Sequence, residues 1–213
     1  LNGKTYFLDG TEKFGPLGEY AYRIQGKETL VSKGASYEVA KVPMADSSQS
    51  KLITKASFVL NDNVLKGHLT ITLTGEERTN FHQLYQDMPT DKKKEALQRI
   101  LEFGNDNIYA TNIKTSDLTN REIPVVIEGD IDLSNNIIRE DKEVYAGIDF
   151  FPKRLRGYMP DAKRVNPYDF GSIFSIEDQI ELTIPGYKMK DLPEAFNEQT
   201  ADYGFSGSYS QVG

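Results

Sequence analysis

From residue 52 the chain alternates apolar and polar positions with period two. Leu52, Ala56, Phe58 and Leu60 share one face, Asn61-Asp62-Asn63 forms a turn, and Leu65, Gly67, Leu69, Ile71 and Leu73 share one face of the next run. The pattern predicts a long β-hairpin with one wet side, which carries Lys66, His68, Thr70, Thr72 and Thr74. After Gly75 the period becomes helical. Phe81, Leu84, Tyr85 and Met88 stand at i, i+3, i+4 and i+7, which predicts a helix facing inward on those positions and ended by Pro89. Thr90 is placed to cap a second helix, with Leu97, Ile100 and Leu101 inward, until Gly104 stops it. Glu95 and Arg99 form an i, i+4 pair on its outer side.

Strand signals then return over residues 108–113 and in the alternation of Val125, Ile127, Gly129, Ile131 and Leu133, followed by a turn at Asn135-Asn136. Residues 144–151 and 173–184 predict two more strands, separated by the polar, proline-bearing stretch 152–169. Tyr203, Phe205 and Tyr209 alternate among glycines, as in a packed edge strand. Residues 10–50 are rich in loop signals, with Tyr20, Tyr22 and Ile24 and then residues 29–31 as short extended pieces, and the polar cluster 45–50 as a boundary. Strands bunched on either side of one helical pair predict an α+β, mainly β fold: an antiparallel, sandwich-like sheet domain with a short two-helix insertion. The expected division is residues 1–30, a linker over 31–50, and a β-rich domain over 51–213, divisible near 135.

A chain of 213 residues is long enough to bury its own core. With 25 basic and 32 acidic residues the net charge is −7, which argues against a nucleic-acid partner; Lys92-Lys93-Lys94 is the densest basic run and reads as a solvated helix face. There is no Cys, so the chain by itself runs no thiol chemistry. No apolar run reaches the roughly 20 residues of a membrane span. No signal peptide stands in the chain, and the first residue is Leu rather than Met, so the start reads as a cut or processing boundary that leaves room for an export signal upstream.

One stretch carries candidate chemistry. In Lys4-Thr5-Tyr6-Phe7-Leu8-Asp9-Gly10-Thr11 large apolar residues run into an acid held in an Asp-Gly-Thr turn, the layout of a strand that ends on a carboxylate. The plain reading is a turn. This run, with Phe14-Gly15-Pro16-Leu17-Gly18 and Gln25-Gly26-Lys27-Glu28 after it, resembles the end of a transglutaminase-like core in multi-domain bacterial proteins. Arg164-Val165-Asn166-Pro167, Ile180-Glu181-Leu182-Thr183-Ile184-Pro185-Gly186-Tyr187 and Leu192-Pro193 are similar to the terminal β-rich domain of that family. Glu12 and Lys13 stand where the family often has Pro.

The resemblance implies that residues 1–30 are the last strand and exit segment of a Cys-His-Asp core, with Asp9 as the acid that orients the histidine. It also implies a periplasmic or cell-surface location, no cofactor, and the protein's own upstream catalytic domain as partner. The chain alone then lacks nucleophile and base and is inert. A different reading is an independent module that binds a peptide or a cell-surface glycan polymer, and a third is a small hydrolase, for which the sequence names no convergent acids.

Other groups read as structural. His68 falls on the polar face of its strand, and His82 beside an apolar stripe. Glu128, Asp130 and Asp132 recur at period two before Asn135, but the glycine and terminal Glu of a calcium loop are missing. A weak cation site at Asp130, Asp132 and Asn135 is the one metal candidate. No Gly-x-Ser-x-Gly supports a serine nucleophile, and the absence of Trp removes the usual sugar-stacking platform.

Overall fold

The computed structural model describes residues 5–147, 163–166 and 171–211, and the chain divides after Thr183 into two units. The first regular pieces are a 3-10 turn at Tyr22–Ile24, where short extended segments were expected, and a hairpin of β1 (Glu28–Lys33) and β2 (Ser36–Lys41). The stretch read as linker, 31–50, thus contains all of β2. Leu30 lies directly opposite Val39 in this hairpin, and both are exposed.

The two alternating runs form β3 (Lys51–Asn61) and β4 (Val64–Leu73), paired antiparallel in the predicted register face. Then come α1 (Gly75–Gln86), α2 (Thr90–Glu102), β5 (Ile108–Thr115) and β6 (Val125–Leu133), a small hairpin of β7 (Ile137–Glu140) and β8 (Glu143–Ala146), and β9 (Ser175–Thr183). The main sheet has the order β5-β6-β4-β3-β9. All its pairs are antiparallel except β3 with β9, which run parallel. The architecture is α+β and mainly β. No helix among the described residues is long and apolar enough to cross a membrane.

One face of this sheet is the core. Side chains stack in cross-strand rows, such as Thr54, Ile71 and Ile127, or Leu60, Leu65 and Leu133, all buried. Two glycines make the packing possible. A Cβ on Gly67 would lie 1.9 Å from the Ser57 carbonyl and 2.8 Å from the Phe58 ring; one on Gly129 would lie 2.9 Å from Leu101 of α2. The missing side chains are the seats into which Phe58 and Leu101 fit. Leu101 is fully buried, Leu97 and Ile100 partly so, and Glu95 meets Arg99 at 2.7 Å, as the helical period of α2 predicts. Pro89 rather than Thr90 occupies the cap position, and α2 ends through Phe103 in the left-handed region.

The inward stripe of α1 differs from the expected one. Gly75, Arg78, Thr79 and His82 are buried with Phe81, whereas Leu84 is 74% exposed and Tyr85 stacks on Phe81 at 5.1 Å. The cause lies at the start of the helix. Gly75 has φ +55°, and a Cβ there would meet the Gln49 carbonyl at 2.4 Å and Ser50 Cα at 2.8 Å. Pinned at that point, α1 turns positions 78, 79 and 82 inward, although all three are polar.

From Ile184 onward the second unit contains one antiparallel hairpin, β10 (Phe196–Gln199) and β11 (Gly204–Gly207). Thr200 closes its turn by donating its amide and its hydroxyl to the Tyr203 carbonyl. Phe196 and Phe205 touch with ring centroids 5.8 Å apart, and both remain exposed, as does Tyr203. The predicted strand at 144–151 is seen as β8, its later residues lying outside the described ones, as does most of the stretch 152–169.

Gly75→Ala is expected to destabilise the first unit by at least about 2 kcal/mol, combining left-handed strain with overpacking. Gly10→Ala, where a Cβ has nothing within 4 Å, is expected to be close to neutral. Urea unfolding of the two variants checks the contrast.

Candidate functional site

Residues 5–9 belong to no sheet among the described residues, although Tyr6-Phe7-Leu8 is strand-favouring. Leu8 is 81% exposed, and Phe7 meets the Tyr20 ring edge-on at 5.9 Å. The run leads into the predicted turn, closed by the Glu12 amide donating to the Asp9 carbonyl at 3.1 Å.

Both oxygens of the Asp9 carboxylate are engaged there. Oδ1 accepts from the Thr11 amide at 2.9 Å and the Thr11 hydroxyl at 2.7 Å; Oδ2 accepts from Arg23 Nη2 at 2.6 Å. The same Nη2 donates to Thr11 Oγ1 at 2.8 Å, and Arg23 Nη1 reaches Glu12 Oε2 at 3.2 Å. Glu12 is itself held by the Phe14 amide at 3.0 Å. The Thr11 hydroxyl, then its amide, hold the Asp9 carboxyl below the ordinary range, and Arg23 acts in the same direction. Asp9 is therefore an ionised, oriented acceptor.

Behind this turn the N-terminal segment is tied to α1. The Arg78 side chain, 5% exposed, donates to Glu19 at 2.6 Å. Glu76 takes a hydrogen bond from the Tyr22 amide, and burial, followed by the Glu12 charge, pushes its carboxyl up. A cleft of about 100 Å³ lies between these pieces, lined among others by Glu12, Glu19, Gln25, Ser50, Glu76 and Thr79. Sequence reading named neither Arg23 nor Arg78 nor Glu76. Arg23 is 14 residues from Asp9 and Arg78 is 59 from Glu19, and no local period links such pairs.

The structure places the other candidates elsewhere. Neither imidazole is a partner of Asp9. His68, on the polar face of β4, has Nδ1 3.1 Å from Asp130 Oδ1, and Asn112 donates to Asp130 Oδ2 at 2.7 Å. The Asn112 hydrogen bond, then His68, hold the Asp130 carboxyl below its usual range. Asp132 pairs with Lys66 at 3.3 Å, and Asn135 donates to Asn107 at 2.8 Å. Asp130, Asp132 and Asn135 thus each have separate partners and do not converge. Among the described residues no three His, Cys, Asp or Glu side chains are grouped to hold a metal ion.

His82 is buried on α1, with neither ring nitrogen hydrogen-bonded. Burial first, then the charges of Arg78 and Arg121, lower its pKa, so it folds as the neutral ring. The unfolded chain then binds the proton better. The contribution is fully present above the unfolded value of about 6.5 and is lost as pH falls below it. Between about pH 7.5 and about pH 5 the melting temperature of the wild type is expected to fall more than that of His82→Leu. Parallel curves for the two proteins in scanning calorimetry would refute this.

Comparison with protein-family models, with curated proteins and with solved structures finds no significant match to this chain.

Proposed function

We propose that this chain is the C-terminal accessory segment of an exported bacterial protein with a transglutaminase-like, Cys-His-Asp core, and that it is not catalytic on its own. In this reading Asp9 is the acid of an active site whose thiol and imidazole lie upstream, and the sheet domain docks on that core and supports it. One observation carries the reading: a strand-favouring run, residues 5–9, lies outside every sheet formed by the described residues, with Leu8 bare, and ends on an ionised carboxylate. Such a run fits an edge position in a sheet that these residues do not include. The chemistry has separate roles: a thiolate attacks an amide carbonyl, an imidazole handles the proton, and the carboxylate fixes the imidazole's tautomer and orientation. Only the last is available here, and the mechanism calls for no cofactor.

A second reading has its own observation. Phe196, Tyr203 and Phe205 present exposed rings on one small hairpin, a stacking surface for a peptide or a cell-surface polymer. Saturable heat on titration with cell-wall fragments, lost in Phe205→Ala, would favour this module; no heat would exclude it.

For the first reading, Asp9→Asn in the full-length polypeptide is expected to lower amide turnover by about a thousandfold or more, by analogy with triad enzymes. The same change is expected to leave this chain folded, with at most a small drop in its melting temperature. Full turnover in the variant, or release of product by this chain alone, would overturn the assignment.

A further inference from the structure

An ionised carboxylate offers about four positions at which it accepts a hydrogen bond. In Asp9 three are taken by the described residues: two on Oδ1 by Thr11, and one on Oδ2 by Arg23. We propose that Arg23 is a positioning residue for Asp9, which together with Thr11 locks the carboxylate so that a single acceptor site, on Oδ2, stays open to the N–H of an imidazole. This assignment rests on the triad reading.

The guanidinium suits the task because of its fork. One nitrogen, Nη2, holds Asp9 Oδ2 and Thr11 Oγ1 while the other, Nη1, holds Glu12 Oε2, and Glu12 is fixed by the Phe14 amide. A lysine ammonium is one point charge without that planar bridge. The charge has a second effect: a carboxylate stabilised in its ionised form leaves the proton on the imidazolium instead of taking it.

Arg23 also connects Asp9 to the sheet domain. It sits in the 3-10 turn Tyr22–Ile24, whose first amide donates to Glu76 near the start of α1. The orientation of the acid is therefore set by the domain that follows it in sequence. This gives that domain a specific job in catalysis.

The test compares Arg23→Gln and Arg23→Lys. In this chain, the Asp9 carboxyl carbon is followed by NMR through a pH titration. The midpoint is expected to rise toward the ordinary carboxylate value in R23Q and less in R23K, with both variants still folded and melting only slightly lower. An unchanged midpoint in R23Q overturns the clamp. In the full-length polypeptide, R23Q is expected to lower kcat about tenfold or more with KM unchanged, and R23K to recover part of the loss. If D9N abolishes turnover while R23Q leaves kcat intact, the positioning role fails and the triad stands. If D9N itself leaves turnover intact, the triad fails and the role of Arg23 fails with it.

Discussion

At the junction of β4 and α1, a single threonine hydroxyl holds two strands and a helix together. Thr74 Oγ1 donates to the Gln49 carbonyl at 3.0 Å and accepts the Lys51 amide at 3.0 Å, while the Thr74 amide donates to the Lys51 carbonyl. The side chain is spent on tertiary contact instead of capping the helix, which starts with no side-chain cap. Gly75 then passes so close to Gln49 and Ser50 that no Cβ fits. The Ser50 carbonyl accepts the Ser175 amide at 2.9 Å, so the parallel strand β9 enters at the same point.

The rest of the molecule follows from that fixed point. With its first residue pinned, α1 is held in a rotation about its axis that buries Arg78 and His82 while leaving Leu84 outside. A buried guanidinium needs a partner, and Glu19 supplies it from the N-terminal segment. Glu76, one residue into the helix, takes the Tyr22 amide. Those two contacts fold residues 19–24 against the helix, and Arg23 thereby meets Asp9 and Glu12. The geometry of the candidate acid is thus a remote result of a steric constraint at Gly75.

Much of the fold was legible in the sequence where a periodic pattern and its burial coincide. The alternations at 52–60, 65–73 and 125–133 give the core face of β3, β4 and β6 directly, and Leu97, Ile100 and Leu101 give the inner face of α2. Period two says nothing about strand direction, so the parallel pairing of β9 with β3 was not visible. The stripe of α1 is misleading because apolar spacing marks the inside only where nothing else fixes the helix, and here backbone contact at Gly75 does. The site was half legible. The Asp-Gly-Thr turn is local chemistry that its residues announce, but Arg23 arrives through tertiary packing and leaves no sequence signature.

The outer face of the main sheet carries three successive polar, largely exposed rows, beyond the half-buried row Ile53, Thr72 and Val126. Lys55, Thr70, Glu128 and Lys114 follow one another across the strands, then Ser57, His68, Asp130 and Thr111, then Val59, Lys66, Asp132 and Tyr109. Charges of both signs neighbour each other along these rows, with Lys66 and Asp132, and His68 and Asp130, in contact. Laying a second sheet on this face would strip water from each of those groups while offering no new partners. The domain is consequently one-sided. Nearly all its cohesion is directed toward the helices, and the hydrated face acts as a barrier to face-to-face stacking between copies of the same sheet.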